Sequence, residues 1–183
     1  SLLGVQGIYG AYRTGHVAII NAMGNGVADD KAIYYYVPAM IRYYLNEEPI
    51  LPNVPTYQMS NKDEREYVFD NIEKMVIKRT NQSGGYGMIM GHTIAEEDWI
   101  KAKATIEAEP RNFIAQPIIK LSTVPCFIND RLQPRHVDLR TYALCGPGGV
   151  QIVPGGLTRV ALREGSLIVN SSQGGGSKDT WVI

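Results

Sequence analysis

The rhythm of apolar and polar positions changes along the chain, from helical spacing near the start to short alternating runs at the end. Residues 1–13 read as a helix, with Leu3, Ile8 and Tyr12 available to pack. Val17-Ala18-Ile19-Ile20 is strand-like and is broken by Gly24-Asn25-Gly26. Asp29 or Asp30 can then cap a helix over 31–45, where Ile33, Val37, Met40, Ile41 and Tyr44 recur at helical spacing and predict a buried stripe. Pro38 falls inside it as a candidate kink. Pro49, Pro52 and Pro55 make a stiff extended connector, and Ser60 or Asn61 caps a polar helix that runs to about Lys74. Val76 to Thr80 is a short apolar strand that ends on basic residues, and a glycine-rich loop follows.

Beyond that loop the pattern predicts a charged helix over 95–107 and a buried strand over 113–119. The remainder is strand-rich, with runs over 124–128, 137–145, 150–154, 158–162, 167–170 and 180–183. Asn129-Asp130, Gly146-Pro147-Gly148-Gly149, Gly155-Gly156 and Glu164-Gly165 supply the turns. The run Ser171 to Ser177 reads either as a flexible linker or as a second ligand loop. The expected class is α+β: a helical lead-in over 1–60, an α+β lobe with a glycine-rich flap over 61–110, and a mostly antiparallel β lobe over 111–183.

Composition narrows the function classes. Eighteen lysines and arginines balance 18 aspartates and glutamates, so no global field favours nucleic acid or an anionic membrane, and any anion site must be local. No apolar run reaches the ~18–20 residues of a membrane span, and no secretory leader pattern opens the sequence. Cys126 and Cys145 lie in apolar, strand-like surroundings and read as buried reduced thiols, which points to the cytoplasm. His16, His92 and His136 lack metal-ligand spacing. The abrupt apolar start without methionine reads as a processed chain or as a piece of something longer.

The densest chemical signal is Val76-Ile77-Lys78-Arg79-Thr80 followed by Asn81-Gln82-Ser83-Gly84-Gly85-Tyr86-Gly87. A lysine at a strand tip supplies a point charge, and glycines let backbone N–H groups approach phosphate oxygens. The order is neither the Walker pattern, where lysine follows the glycines, nor a dinucleotide fingerprint. A plain turn or hairpin is the competing reading of the same loop.

From Asp30 onward the order of motifs resembles the ATP-grasp ligases. The places look filled by Asp30-Lys31, the connector 52–56, Lys78, Ser83 to Gly87, Gln116-Pro117, Asp138-Leu139-Arg140, Arg159, and Asn170 with Gly174 to Gly176. Over nearly the whole chain the resemblance is to the circularly permuted ATP-grasp proteins, relatives of glutathionylspermidine synthase. Asn21 to Val27, Arg135 to Arg140 and Ser171 to Asp179 look characteristic of that group. The resemblance implies that ATP is held by Lys31, Lys78, Ser83, Gly84, Gly85, Tyr86, Gly87, Gln116 and Asp138, with Gln116 and the backbone beside Pro117 reading the adenine edge. It implies that Arg140, Arg159 and Asn170 act at the transferred phosphoryl group, and that a carboxylate and an amine are joined through an acyl phosphate.

Plain readings compete at each position. Lys31 could be a helix-surface lysine, and Asp138 with Arg140 could be a structural ion pair on one strand face. Arg135 and His136 fall in a turn by pattern and could be solvent-exposed, while the tyrosines at 34–36 and 43–44, like Trp99 and Trp181, read as structural. The family binds Mg²⁺ through late acidic residues, and no Glu-x-Asn follows Asp138. The metal ligands are therefore expected outside this chain, in the preceding part of the parent protein, which would be the ligase. A regulatory ATP-binding module or a small-molecule kinase of the same fold, and a non-enzymatic interaction domain, are the alternatives.

Overall fold

The computed structural model describes residues 4–82, 87–169 and 175–182. They fall into two compact units, residues 4–82 with 87–117 and residues 118–169 with 175–182.

The first unit opens with a short helix, α1 (Ile8–Arg13). The helix expected over 1–13 starts only here, because Gly7 has φ 84° and the backbone cannot continue helically through it. The strand expected at 17–20 does not form; Ile20 is 97% exposed and no described strand pairs with it. Helix α2 (Lys31–Leu45) forms as expected, and of the two candidate caps Asp30 is the one used, its Oδ1 accepting from Ala32 N at 2.8 Å. Pro38 sits inside α2 and cannot donate to the carbonyl four residues back. That carbonyl, on Tyr34, instead accepts from Asn53 Nδ2 at 3.4 Å, and the Tyr34 hydroxyl accepts from Val54 N at 2.9 Å. The proline connector is thereby stitched along α2. The buried stripe expected on this helix is not found: no α2 residue is fully buried, and Tyr44 is 76% exposed.

Strand β1 (Tyr57–Gln58) leads into α3 (Lys62–Asp70), capped by Asn61 Oδ1, which accepts from the N–H groups of Asp63 and Glu64. The helix stops at Asp70, and a 3₁₀ turn over Ile72–Lys74 replaces its expected last turn. Strands β2 (Met75–Arg79) and β3 (Ile89–Met90), helix α4 (Glu96–Ala108) and strand β4 (Phe113–Pro117) follow. The four strands make an antiparallel sheet in the order β1-β4-β2-β3. Alternation then separates two faces. Met75, Ile77, Phe113 and Ala115 pack with Met59, Val68 of α3 and Ile106 of α4 into the core, edged by Phe69 and Trp99, whose rings meet edge to face. Val76, Lys78, Ile114 and Gln116 occupy the opposite face.

The second unit is an antiparallel sheet in the order β5-β6-β7-β8: Thr123–Ile128, Arg131–Gly146, Gly149–Val160 and Gly176–Trp181. Asn129 and Asp130 both have positive φ and close a two-residue hairpin between Ile128 and Arg131. Two expectations are corrected on β7. Gly155-Gly156 is not a turn, and the runs 150–154 and 158–162 are one strand that ends at Val160. A Cβ on Gly156 would lie 2.3 Å from the Arg140 carbonyl oxygen, beside a register shift between Thr141 and Ala143, so the glycine serves close approach of strands. Residues 167–169 form no strand, although Val169 is buried. Strand β8 starts earlier than expected, and takes in Gly176 and Ser177 from the run read as linker or loop.

The interior of this unit holds Cys126, Val160, Ala161 and, against expectation, Arg135. Arg135 lies in β6, not in a turn, and donates to the carbonyls of Leu162 and Pro134 and to Gln133 Oε1. Lys178 on β8 reaches the Pro125 carbonyl on β5 at 2.7 Å, so the sheet curls until its edge strands approach. Cys145 and Trp181, expected to be buried or structural, are exposed, because the ends of this sheet have no covering layer among the described residues. No described helix is long and apolar enough to cross a membrane.

Candidate functional site

A pocket of about 360 Å³ lies within the first unit, bounded by Ala28, Asp30, Lys31, Tyr34, Lys78 and Gln116 among others. That volume is at the small end of the roughly 300–1,000 Å³ typical of small-molecule sites, enough for part of a nucleotide. Its floor is the sheet face opposite the core. Lys78 arrives there because β2 alternates Val76 and Lys78 against Met75 and Ile77, and Gln116 arrives from β4 by the same alternation.

The polar groups on this floor form a chain. Lys78 Nζ donates to Gln116 Oε1 at 2.7 Å, Gln116 Nε2 donates to Thr56 Oγ1 at 2.9 Å, and Thr56 Oγ1 donates to the Val54 carbonyl at 3.0 Å. Gln116 therefore spends one amide end on Lys78 and the other on Thr56, and fixes the lysine. The sequence singled out Lys78, Gln116 and the connector 52–56 that holds Thr56, but gave no reason to bond Thr56 to them or to bring in Tyr34. Those two become part of the site through cross-strand and helix packing, which leaves no local signal.

Lys31 approaches from the first turn of α2. Its backbone N–H donates to the Thr80 carbonyl at 3.1 Å, and its ammonium donates to the carbonyl of Gln82. This ties the start of α2 to the end of β2, where the glycine-rich loop begins. Burial lowers the Lys78 pKa below the ordinary lysine range, and the positive charge of Lys31 lowers it further. Among the described residues neither ammonium pairs with a carboxylate. A cation on the first turn of a helix also adds to the positive end of the helix dipole. Asp29 and Asp30 also line the pocket, but neither is ion-paired to these lysines, which leaves both ammonium groups able to pair with an anionic ligand.

Of the loop residues assigned to the phosphates, Ser83, Gly84, Gly85 and Tyr86 lie outside the described residues. Gly87 is described, with φ 67°, and a Cβ there would come within 2.6 Å of Gln82 Oε1. The positive φ favours glycine at that position, whereas the contact with the end of the flexible Gln82 side chain can be relieved by its moving aside.

The second unit gathers the other candidates on one sheet face. Asp138 pairs in register with Arg159, and Arg159 with Ser177; Arg140 pairs with Leu157, and Leu157 with Asp179. Asp138 and Arg140 form a two-pronged ion pair, Nε to Oδ1 at 3.1 Å and Nη2 to Oδ2 at 3.0 Å. Its hydrogen bond holds the Arg140 pKa above the ordinary arginine value. His136 lies on the same face, and is half-buried rather than in an exposed turn. Asn170 lies outside the described residues, as does Gly174.

Magnesium requires several hard oxygen ligands. Among the described residues no three His, Cys, Asp or Glu side chains gather in a way that could hold a metal ion, so these residues do not fit it as a ligand set.

The chain is similar to known proteins along its length. Residues 1–161 match the family model described as circularly permuted ATP-grasp type 2. An uncharacterized protein of Synechocystis sp. is 56% identical over 183 residues, all of this chain and 38% of its own length. An uncharacterized protein of Mycobacterium tuberculosis is 52% identical over the same span, 33% of its length. A provisionally named glutamate–cysteine ligase of Frankia alni is 45% identical over 172 residues, 94% of this chain and 20% of that protein. The chain thus spans 38% or less of these relatives.

Proposed function

Because the chain belongs to the circularly permuted ATP-grasp type 2 family, we propose that it is the ATP-binding portion of an ATP-dependent carboxylate–amine ligase that works through an acyl phosphate. One observation carries this reading. Lys31 and Lys78 line a single pocket and, among the described residues, neither is ion-paired with a carboxylate, although Asp29 and Asp30 line it too. Two such ammonium groups suit a polyphosphate, and the neutral net charge makes that attraction local.

In this reading Lys78, oriented by Gln116 and Thr56, and Lys31 hold the phosphates, while the backbone beside Pro117 meets the base edge. The glycines among residues 83–87 suit an approach of backbone N–H groups to the phosphates. Asp138, Arg140, Arg159 and Asn170 serve the transferred phosphoryl group and the carboxylate, where forked guanidinium donors match planar oxyanions. Positioning and charge neutralisation are the main demands of phosphoryl transfer, so lysines, arginines and backbone amides suffice as its working parts. No step here runs through magnesium, whose ligands would come from the rest of the parent protein. Free Cys126 and Cys145 agree with the cytoplasm as the compartment.

The name of the Frankia relative suggests amino acids as probes for the carboxylate and the amine. In the intact protein, Lys78→Ala should weaken ATP binding by roughly 10–100-fold, the loss of one charge-assisted hydrogen bond, and slow ADP release with amino-acid substrates. Isothermal calorimetry and coupled ADP assays check this. Unchanged binding and turnover in Lys78→Ala and Arg140→Ala would remove these residues from the site, and ADP release onto a stable phosphoester without amide would replace ligase by kinase.

A further inference from the structure

His136 has one ring nitrogen committed and one open. Its Nδ1 lies 2.8 Å from the Leu121 carbonyl oxygen. A carbonyl oxygen has no proton to give, so Nδ1 must be the donor. In the neutral ring the lone pair then sits on Nε2. That nitrogen has no hydrogen-bond partner among the described residues, and the residue is half-buried, so its side chain stays partly open to solvent. Strand alternation puts the ring on the sheet face that carries Asp138 and Arg140 on β6 and Arg159 on β7. Across the same face stand Thr123 on β5 and, on β8, Ser177 and Asp179.

A hydrogen bond from Nδ1 to a backbone carbonyl fixes ring orientation and tautomer, and presents Nε2 as a base. Amide formation needs such a base, because an ammonium has no lone pair to attack with. We infer that His136 accepts the proton of the attacking ammonium in the ligation step, an assignment that rests on the ligase reading above. The proton passes from the ammonium to Nε2, leaving neutral amine and imidazolium. The amine lone pair forms the C–N bond as the bond from the acyl carbon to the phosphate oxygen breaks. The phosphate leaves with that electron pair and takes the remaining N–H proton, and the imidazolium returns its proton to water.

His136→Asn is the informative variant, since the Asn amide keeps a donor where Nδ1 stands and removes Nε2. The intact protein is supplied with ATP, a panel of amino acids as carboxylates, and either an amino acid or hydroxylamine as acceptor. Hydroxylamine is largely neutral near pH 7 and needs no base, so hydroxamate reports the acyl phosphate alone. The expected result is wild-type hydroxamate formation in His136→Asn with amide formation lowered by about 100-fold, the usual size of a general-base contribution. Amide formation at the wild-type rate, or equal loss of hydroxamate and amide in a variant with unchanged melting temperature, overturns the role. Absence of hydroxamate from the wild type with every amino acid overturns the ligase reading itself, and the role falls with it. Nitrogen-15 NMR of the imidazole gives a separate check on this chain: the Nδ1–H form is expected, and the Nε2–H form overturns the inference.

Discussion

Lys78 and Lys31 illustrate how two residues of one type acquire different chemistry from where they stand. Lys78 is held by Gln116 beneath α2, and burial disfavours its charged form; Lys31 sits on backbone carbonyls at the rim. Because the folded pKa of Lys78 is lowered, the unfolded chain binds more protons in the interval between the two values, and stability rises as pH is raised through it. An anion in the pocket has the opposite preference and favours the charged form. Nucleotide affinity should therefore fall with rising pH at a lower pH than an ordinary lysine would impose. Lys31→Ala removes the neighbouring charge, so it should shift that fall to higher pH while lowering affinity below it. Calorimetric titrations across alkaline pH check both directions. At this scale the sequence was informative about Lys78, whose place at a strand tip before glycines is a local pattern. It placed Thr56 only in the connector 52–56, with no sign of its bond to Gln116, and it misjudged Arg135 and His136, whose strand extends further than its apolar core suggests.

Elements with strong local punctuation formed as expected. Asp30 and Asn61 start α2 and α3 because a side-chain oxygen satisfies amides that no helical carbonyl can reach. Asn61→Ala should lower stability by about 1 kcal/mol in urea titrations. Elements whose existence depends on a partner did not follow from pattern: the apolar run 17–20 has no described strand to pair with, while Gly155-Gly156 looks like a turn and is held inside β7 by neighbours on both sides. Gly156→Ala should cost about 1–3 kcal/mol, since its Cβ meets a backbone oxygen rather than a side chain that could move aside. Thermal and urea unfolding of this variant beside Asn61→Ala would separate a steric cost from a capping cost by comparing their sizes.

Over the whole molecule, order should be uneven. Strands β2 and β4 lie inside their sheet over a sealed core, whereas, among the described residues, 143–152 of β6 and β7 pair only with each other, beyond the reach of β5 and β8. A two-stranded ribbon alone is marginal in water, so its amides should exchange with deuterium orders of magnitude faster than those of β2 and β4. Hydrogen-exchange mass spectrometry reads this directly. Exposure on this ribbon and on α2 also shows where apolar periodicity overstates burial, because period gives the side of an element and not what covers it. By itself the sequence determined what is local or ordered along the chain: helix caps, the Asn129-Asp130 hairpin, the α+β class, and the succession of motifs that identifies the ATP-grasp family. Tertiary structure alone decided which polar groups meet. The Lys78–Gln116–Thr56 chain joins residues 38 and 60 positions apart, and the His136 contact spans 15, distances over which pairing is set by sheet register and not by any neighbouring side chain.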